Sequence, residues 1–174
     1  MRTIKFRGKK TTNDVWAYGS LVSSNNLDAA IYFQKGNSSV KSMDWVYVNP
    51  KTIGQFTGLL DRNGKEIYEG DIVRYYETRI VCINPDCDPF NFIYNEVLIE
   101  KLGVINFVDG IFCVEYESCP LCWQGFNDLE ELRELLNADE ENEYTDVDGN
   151  TIDETKLGIE VIGNIHDNPE LINK

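Results

Sequence analysis

Apolar and polar side chains alternate with a period of two along most of the chain. In Thr3–Arg7 the apolar Ile4 and Phe6 alternate with Lys5 and Arg7, the pattern of a half-buried strand. Val15–Val22 sets Trp16 and Tyr18 on one face and Val15, Ala17 and Leu21 on the other, which fits a strand covered on both sides. Ala29–Phe33 and Trp45–Val48 are shorter strand candidates, and the Gly/Ser/Asn-rich stretch 36–39 between them reads as a loop. Two hairpins are predicted from turn chemistry. Asn63-Gly64 lies between GQFTGLL and KEIYEG, and Asp109-Gly110 lies between GVINFV and IFCVEY. Both dipeptides accept the positive φ values of a type I′ turn. In the second hairpin, Phe112, Val114 and Tyr116 share one face. Asp71–Glu77 adds another strand candidate, and Ile159–Ile165 alternates again, with Ile159, Val161 and Ile165 inward and Glu160, Asn164 and His166 outward.

One segment, about 127–138, reads as an α-helix. Asn127 or Asp128 caps it, Glu130 and Glu131 complement its N-terminus, and Leu129, Leu132, Leu135 and Leu136 form one apolar stripe. Pro169 suits the first position of a last helical turn. Many short strands, hairpin extensions and a single helix predict a mainly β barrel or roll. The 174 residues suffice for one domain over 1–174, or for two β subdomains at about 1–58 and 59–174.

Composition is that of a globular chain, with 42% hydrophobic and 26% charged residues. Thirty acids against 16 bases give a net charge of −14, which opposes generic binding to phosphate or anionic lipid. The charge is uneven. Residues 1–80 hold 12 Lys/Arg and 8 Asp/Glu, a balance of +4; residues 81–174 hold 4 and 22, a balance of −18. The acids peak at 139–154, which reads as an acidic mobile loop. A calcium loop starting at Asp146 is excluded, because Thr151 occupies the glycine position and Leu157 the bidentate acid position. No apolar run is long enough to cross a bilayer and no signal segment opens the chain, so a cytoplasmic protein is expected.

The most specific chemical feature is cysteine spacing. Cys82 and Cys87 form a C-x4-C pair and Cys119 and Cys122 a C-x2-C pair, an arrangement compatible with one structural tetrahedral zinc. The competing reading is free cytosolic thiols, since the first spacing is loose and a predicted hairpin intervenes. No other cofactor is indicated. His166, the single histidine, precedes Asp167, and that pair is either a base with its orienting acid or a capping pair at a turn. No phosphate loop, dinucleotide fingerprint, nucleophile elbow or zincin helix motif is present, so a catalytic role is not expected and no catalytic or cofactor-binding residue is assigned.

Three blocks carry a family resemblance: MRTIKFRGK at 1–9, TIGQFTGLLDRNGKEIYEGDIVRYY at 52–76, and EVIGNIHDNPELI at 160–172. Together they resemble the YopX family, small proteins encoded by phages and prophages. The resemblance implies an SH3-like character for the β fold, a phage or prophage origin, and the host bacterial cytoplasm as the place of action; it implies no catalytic residue. Within the blocks, Phe56, Leu59, Ile67, Ile72 and Val73 read as core, and Asp71 as a carboxylate that binds local backbone amides.

The expected function is therefore that of an accessory protein that binds a host or phage protein or assembles with itself as a homo-oligomer. The alternative is a nucleic-acid-binding SH3-like module whose face carries Arg2, Lys5, Arg7, Lys9, Lys10 and Arg74 with Trp16 and Tyr76. A third, an enzyme centred on carboxylates near Asp167, is weaker still for want of any motif.

Overall fold

The computed structural model describes residues 3–24, 28–35, 42–82, 94–108, 110–115, 145–146, 148–152 and 158–172. The predicted helix at 127–138 lies outside the described residues, as does the 36–39 loop. The described elements are β1 (Phe6–Lys9), β2 (Trp16–Ser24), β3 (Asp28–Lys35), β4 (Ser42–Val48), β5 (Gly54–Leu60), β6 (Glu66–Tyr68), β7 (Asp71–Cys82), β8 (Tyr94–Val108), β9 (Ile111–Glu115) and β10 (Glu160–Asn164), with short 3-10 turns at Pro50–Thr52 and Pro169–Leu171. They form two antiparallel sheets, ordered β4-β3-β2-β1-β5-β6 and β10-β7-β8-β9. The fold is mainly β, as the alternation predicts.

The expected barrel is not closed among the described residues, for each sheet has two distinct end strands. The first sheet does curl. β2 pairs with β1 through Trp16–Gly19 and with β3 through Ser20–Ser24, so it turns a corner between two partners. Gly19 stands at that corner, where a Cβ would lie only 2.1 Å from the Tyr32 carbonyl oxygen; no larger residue fits so close an approach. The curl brings the end of β4 back to β1: Asn49 N–H donates to the Lys9 carbonyl at 2.8 Å and Thr11 N–H to the Tyr47 carbonyl at 3.1 Å. This corner contact replaces the ladder that would close a barrel.

Two cores follow from the alternation. Ala17, Ala29, Ile31 and Val48 are buried inside the curl, with Leu21, Phe33, Val46 and Ile53 packed around them. Ile67, Val73, Tyr75, Ile105, Phe112, Val114, Ile159 and Val161 form the second core, which Leu59 also joins. Leu59 and Ile67 come from β5 and β6 of the first sheet, so that hairpin is shared between the sheets.

Both predicted hairpins form, and the first shows why its turn differs from type I′. Only Gly64 takes a left-handed φ, of 79°; Asn63 does not. The loop spans Asp61–Lys65 instead, because the buried Asp61 carboxylate organises it, accepting from Asn63 N–H at 2.9 Å and Lys65 N–H at 2.8 Å. Its second oxygen accepts from Val161 N–H at 3.0 Å and pins the loop to β10. In β10 itself a bulge between Val161 and Gly163 breaks the period. Asn164, expected outward, is consequently buried. Strand β8 extends well upstream of the predicted 103–108. Val97 and Leu98, adjacent in sequence, are both buried; Thr145 bridges to Val97 along the strand edge, and its carbonyl accepts from Leu98 N–H at 2.9 Å. Of the acidic stretch, residues 145–146 and 148–152 form a turn in which Asp146 accepts from the Asp148 and Asn150 N–H groups; the rest lies outside the described residues.

Candidate interaction surface

The basic side chains at alternate positions of the N-terminal strand do not form a face for phosphate. Lys5 reaches Glu66 at 2.6 Å. Arg7, 5% exposed, meets Asp71, 1% exposed, at 2.6 Å, and donates to the Glu69 carbonyl at 3.1 Å. Its guanidinium lies 4.7 Å from the Trp16 ring centre and 5.0 Å from that of Tyr68, within cation–π range. Lys9 bonds Asp167 at 2.6 Å and Asp14 at 3.3 Å. Arg74 lies between Glu100 at 3.4 Å and Glu160 at 3.5 Å, and the Tyr76 hydroxyl reaches Glu100 at 3.5 Å. Arg2 is outside the described residues. Lys10 borders a shallow depression of about 460 Å³ between the β1–β2 turn and Asn49-Pro50.

These contacts make a buried polar joint to which each of the three sequence blocks contributes. Arg7 and Lys9 come from the first block, Tyr68, Glu69 and Asp71 from the second, Asn164 and Asp167 from the third. Asp71 plays the role expected for it, accepting from Tyr68 N–H at 2.8 Å and so fixing the entry to β7. Burial raises the Asp71 carboxyl, opposed by Arg7 and by that N–H. Burial also raises the Tyr68 hydroxyl, which donates to Glu66 at 2.6 Å.

His166 and Asp167 sit at the C-terminal edge of the joint. Asn164 Oδ1 caps this turn, accepting from His166 N–H at 2.9 Å and Asp167 N–H at 3.0 Å. The Asp167 oxygens hold Lys9, the Trp16 indole N–H at 2.8 Å and the Asn164 amide at 2.7 Å. Burial works to raise Asp167, but the bonds from Asn164, Lys9 and Trp16 overcome it and hold the carboxyl at about 2. A carboxylate so fully engaged is a structural clamp and a weak base. Burial and the nearby Lys9 and Arg7 charges lower His166, whose ring lies 6.0 Å from that of Trp16.

Cys82 closes β7, while Cys87, Cys119 and Cys122 lie outside the described residues. Cys113 is buried, with its thiol 3.7 Å from the Asn106 carbonyl. Among the described residues no three His, Cys, Asp or Glu side chains gather as metal ligands, and no helix is long and apolar enough to cross a membrane.

The surface that sequence reasoning missed is the outer face of β2–β3–β4. Register places Ser20, Tyr32 and Trp45 in one row and Val22, Ala30 and Tyr47 in the next, with Met43 opposite Gln34. None of these carries a charge; Asp28, opposite Ser24, marks the margin. Met43 is 63% exposed, Val22 57%, Tyr47 54% and Trp45 45%. The aromatic rings support one another: Tyr32 stacks on Trp45 at 6.3 Å, and Tyr47 meets Trp45 edge-on at 4.9 Å. The nearest opposite charges, Lys35 and Asp44, point from the other face of the strands and pair at 3.2 Å. The signal was present in SMDWVYV, whose alternate residues Met43, Trp45 and Tyr47 are all large and apolar.

Two open antiparallel sheets joined by the buried Arg7–Asp71 ion pair define a mainly β protein with an aromatic external face. The chain belongs to the YopX family: the model described as YopX protein matches residues 5–173. Among solved structures it is similar to the crystal structure of protein EF1440 from Enterococcus faecalis, with 22% identity, a TM-score of 0.50 and 99% of each chain covered; that likeness concerns the fold alone. No curated protein matches.

Proposed function

We propose that this chain is a non-catalytic accessory protein of phage or prophage origin that acts in the host cytoplasm by binding protein, a partner or itself, through the outer face of β2–β3–β4. One observation supports the reading: a chain with 26% charged residues leaves that face uncharged and its aromatic side chains half exposed. Exposed apolar patches of this kind mark contact surfaces, and Trp and Tyr are the side chains on which contact energy concentrates. The curled first sheet would serve as the SH3-like scaffold that presents the face. The nucleic-acid alternative draws no support from bases already engaged with carboxylates. A zinc at Cys82, Cys87, Cys119 and Cys122 would be structural in this reading, and metal analysis of chelator-free protein beside Cys119→Ser measures it.

Replacing Tyr47 by the photo-crosslinking p-benzoylphenylalanine in expressing cells tests the reading. Products of higher mass are expected from that position and not from the same replacement at Ile111, an exposed residue of the second sheet. If Tyr47 yields no product above the Ile111 background, the reading is overturned.

A further inference from the structure

We infer that the turn joining β1 to β2 holds a binding site for the phosphoryl group of a small phosphate monoester. The site is the depression of about 460 Å³ bordered by Lys10, Thr12, Asn13, Asp14, Asn49 and Pro50, a volume within the range of small-molecule sites. Its hydrogen-bond inventory is one-sided, because its acceptors are already engaged within the chain. Asn13 Oδ1 accepts from Val15 N–H at 3.3 Å, and Asn49 Oδ1 from Lys51 N–H at 3.1 Å. The Lys10 carbonyl accepts from Asp14 N–H at 3.0 Å, and the Asn49 carbonyl from Thr52 N–H at 3.0 Å. The one carboxylate on the rim, Asp14, is paired with Lys9 at 3.3 Å.

What remains are donors. A backbone N–H can be met only by the oxygen of an amide, so Asn13 and Asn49 each keep an NH2 group uncommitted. The Thr12 and Asn13 backbone N–H groups find no acceptor among the described residues, and the half-buried Lys10 forms no ion pair with any of them. Successive N–H groups in a turn closed by a left-handed residue make an anion-binding concavity, and Asp14, at φ 60°, closes this turn. One cation among neutral donors selects an anion. A carboxylate offers two oxygens in one plane, whereas a phosphoryl group offers three at tetrahedral angles. The tetrahedral group suits donors supplied by the turn, by Lys10 and by the separate Asn49 segment, and the remaining volume accommodates the body of an ester beside Pro50. Charge limits its size. A nucleic-acid strand would meet the acids of 81–174, with their balance of −18, while a small monoester lies against residues 1–80, which balance at +4. With a single cation and donors open to solvent, the dissociation constant should be about millimolar.

Titration of the full chain with inorganic phosphate and with glycerol phosphate, followed by two-dimensional amide NMR, tests this. Saturable shifts are expected at the Thr12 and Asn13 backbone amides and at the Asn13 and Asn49 side-chain NH2 groups. Glycerol phosphate should bind at least as tightly as inorganic phosphate, and acetate much more weakly. Asn13→Asp keeps the acceptor for Val15 N–H and exchanges the donor for a negative oxygen, so saturation should be lost with the turn intact. Lys10→Gln should weaken binding by about 10-fold or more, the scale of a charge-assisted hydrogen bond, and Lys10→Arg should retain it. Shifts no larger than those in sodium chloride of equal ionic strength overturn the inference, as does binding unchanged in both Asn13→Asp and Lys10→Gln. Acetate binding as tight as that of phosphate overturns the assignment to a phosphoryl group. None of these outcomes bears on Tyr47 crosslinking, so this site and the aromatic face stand or fall separately.

Discussion

The joint between the sheets and the outer face of β2–β3–β4 invert the usual distribution of side chains. In the joint, Arg7, Lys9 and Asp71 are buried; on the face, Met43, Trp45 and Tyr47 stand in solvent. Each inversion has a cost, and each has a different return. Buried charges are tolerable only when paired and hydrogen-bonded, and a pair so held penalises every arrangement that separates its partners. The joint therefore specifies how three distant stretches of chain meet. Exposed aromatic rings contribute little to such specification, and their gain comes when something covers them. The same half of the chain thus directs its bases inward for cohesion and its aromatic residues outward for contact.

The largest effect expected from breaking this contrast lies in the joint. Arg7→Met leaves Asp71 buried with a single local N–H donor, and should cost about 3–5 kcal/mol in urea denaturation. Adding Asp71→Asn keeps an acceptor for the Tyr68 N–H and removes the orphaned charge. The double variant should therefore be more stable than Arg7→Met alone; a double variant equally unstable would show that Arg7 acts through packing on Trp16 and Tyr68 rather than through charge. Next in size is the corner of the first sheet. Gly19→Ala drives a methyl group into the Tyr32 carbonyl, and a loss of about 1–3 kcal/mol is expected in the same measurement.

Much of the fold was legible in the sequence, for reasons visible at particular residues. Alternation found β1 to β4, and turn chemistry placed both hairpins, because half-buried strands and glycine-bearing turns leave local marks. The upstream part of β8 left none: Val97 and Leu98, adjacent and on opposite faces, are both buried, so no alternation runs through them. The bulge in β10 turned Asn164 inward in the same way. The site was harder to read. Lys5, Arg7 and Lys9 do share a face, as their spacing says, but the spacing is silent on whether solvent or carboxylates lie opposite. Their partners Glu66, Asp71 and Asp167 stand about 60 to 160 residues away, and only the tertiary fold pairs them.

Acid should separate the two regions. Asp167 is held at about 2 in the folded chain, below the ordinary carboxylate value of 3.8. Its contribution is complete above about pH 4 and is lost as pH falls toward 2. His166 is lowered by burial and by the neighbouring cations, so the unfolded chain takes up its proton first; stability therefore also declines as pH falls below about 6.5. Both signs agree, and the C-terminal turn should loosen progressively in acid. Asp167→Asn should cost about 1 kcal/mol at pH 7, discounted for partial exposure, and should flatten the stability profile between pH 4 and 2. A variant whose profile keeps the wild-type slope there would remove Asp167 from the clamp.

The smallest effect is expected on the face. Met43 touches solvent over most of its surface and lies opposite the polar Gln34, so Met43→Lys removes little buried area and separates no charge pair. In the monomer its stability should match the wild type within about 0.5 kcal/mol by urea denaturation at concentrations too low for association. A lysine added to a chain of net charge −14 reduces overall repulsion, which argues further against any loss. The measurement is sharpest as a contrast with Arg7→Met. The two exchange a cationic residue and methionine in opposite directions, one removing a cation from the interior and the other adding one outside, and their costs should differ by about 3 kcal/mol or more. A large loss from Met43→Lys would mean that the face is already covered within the single chain, and would remove the ground for any contact there.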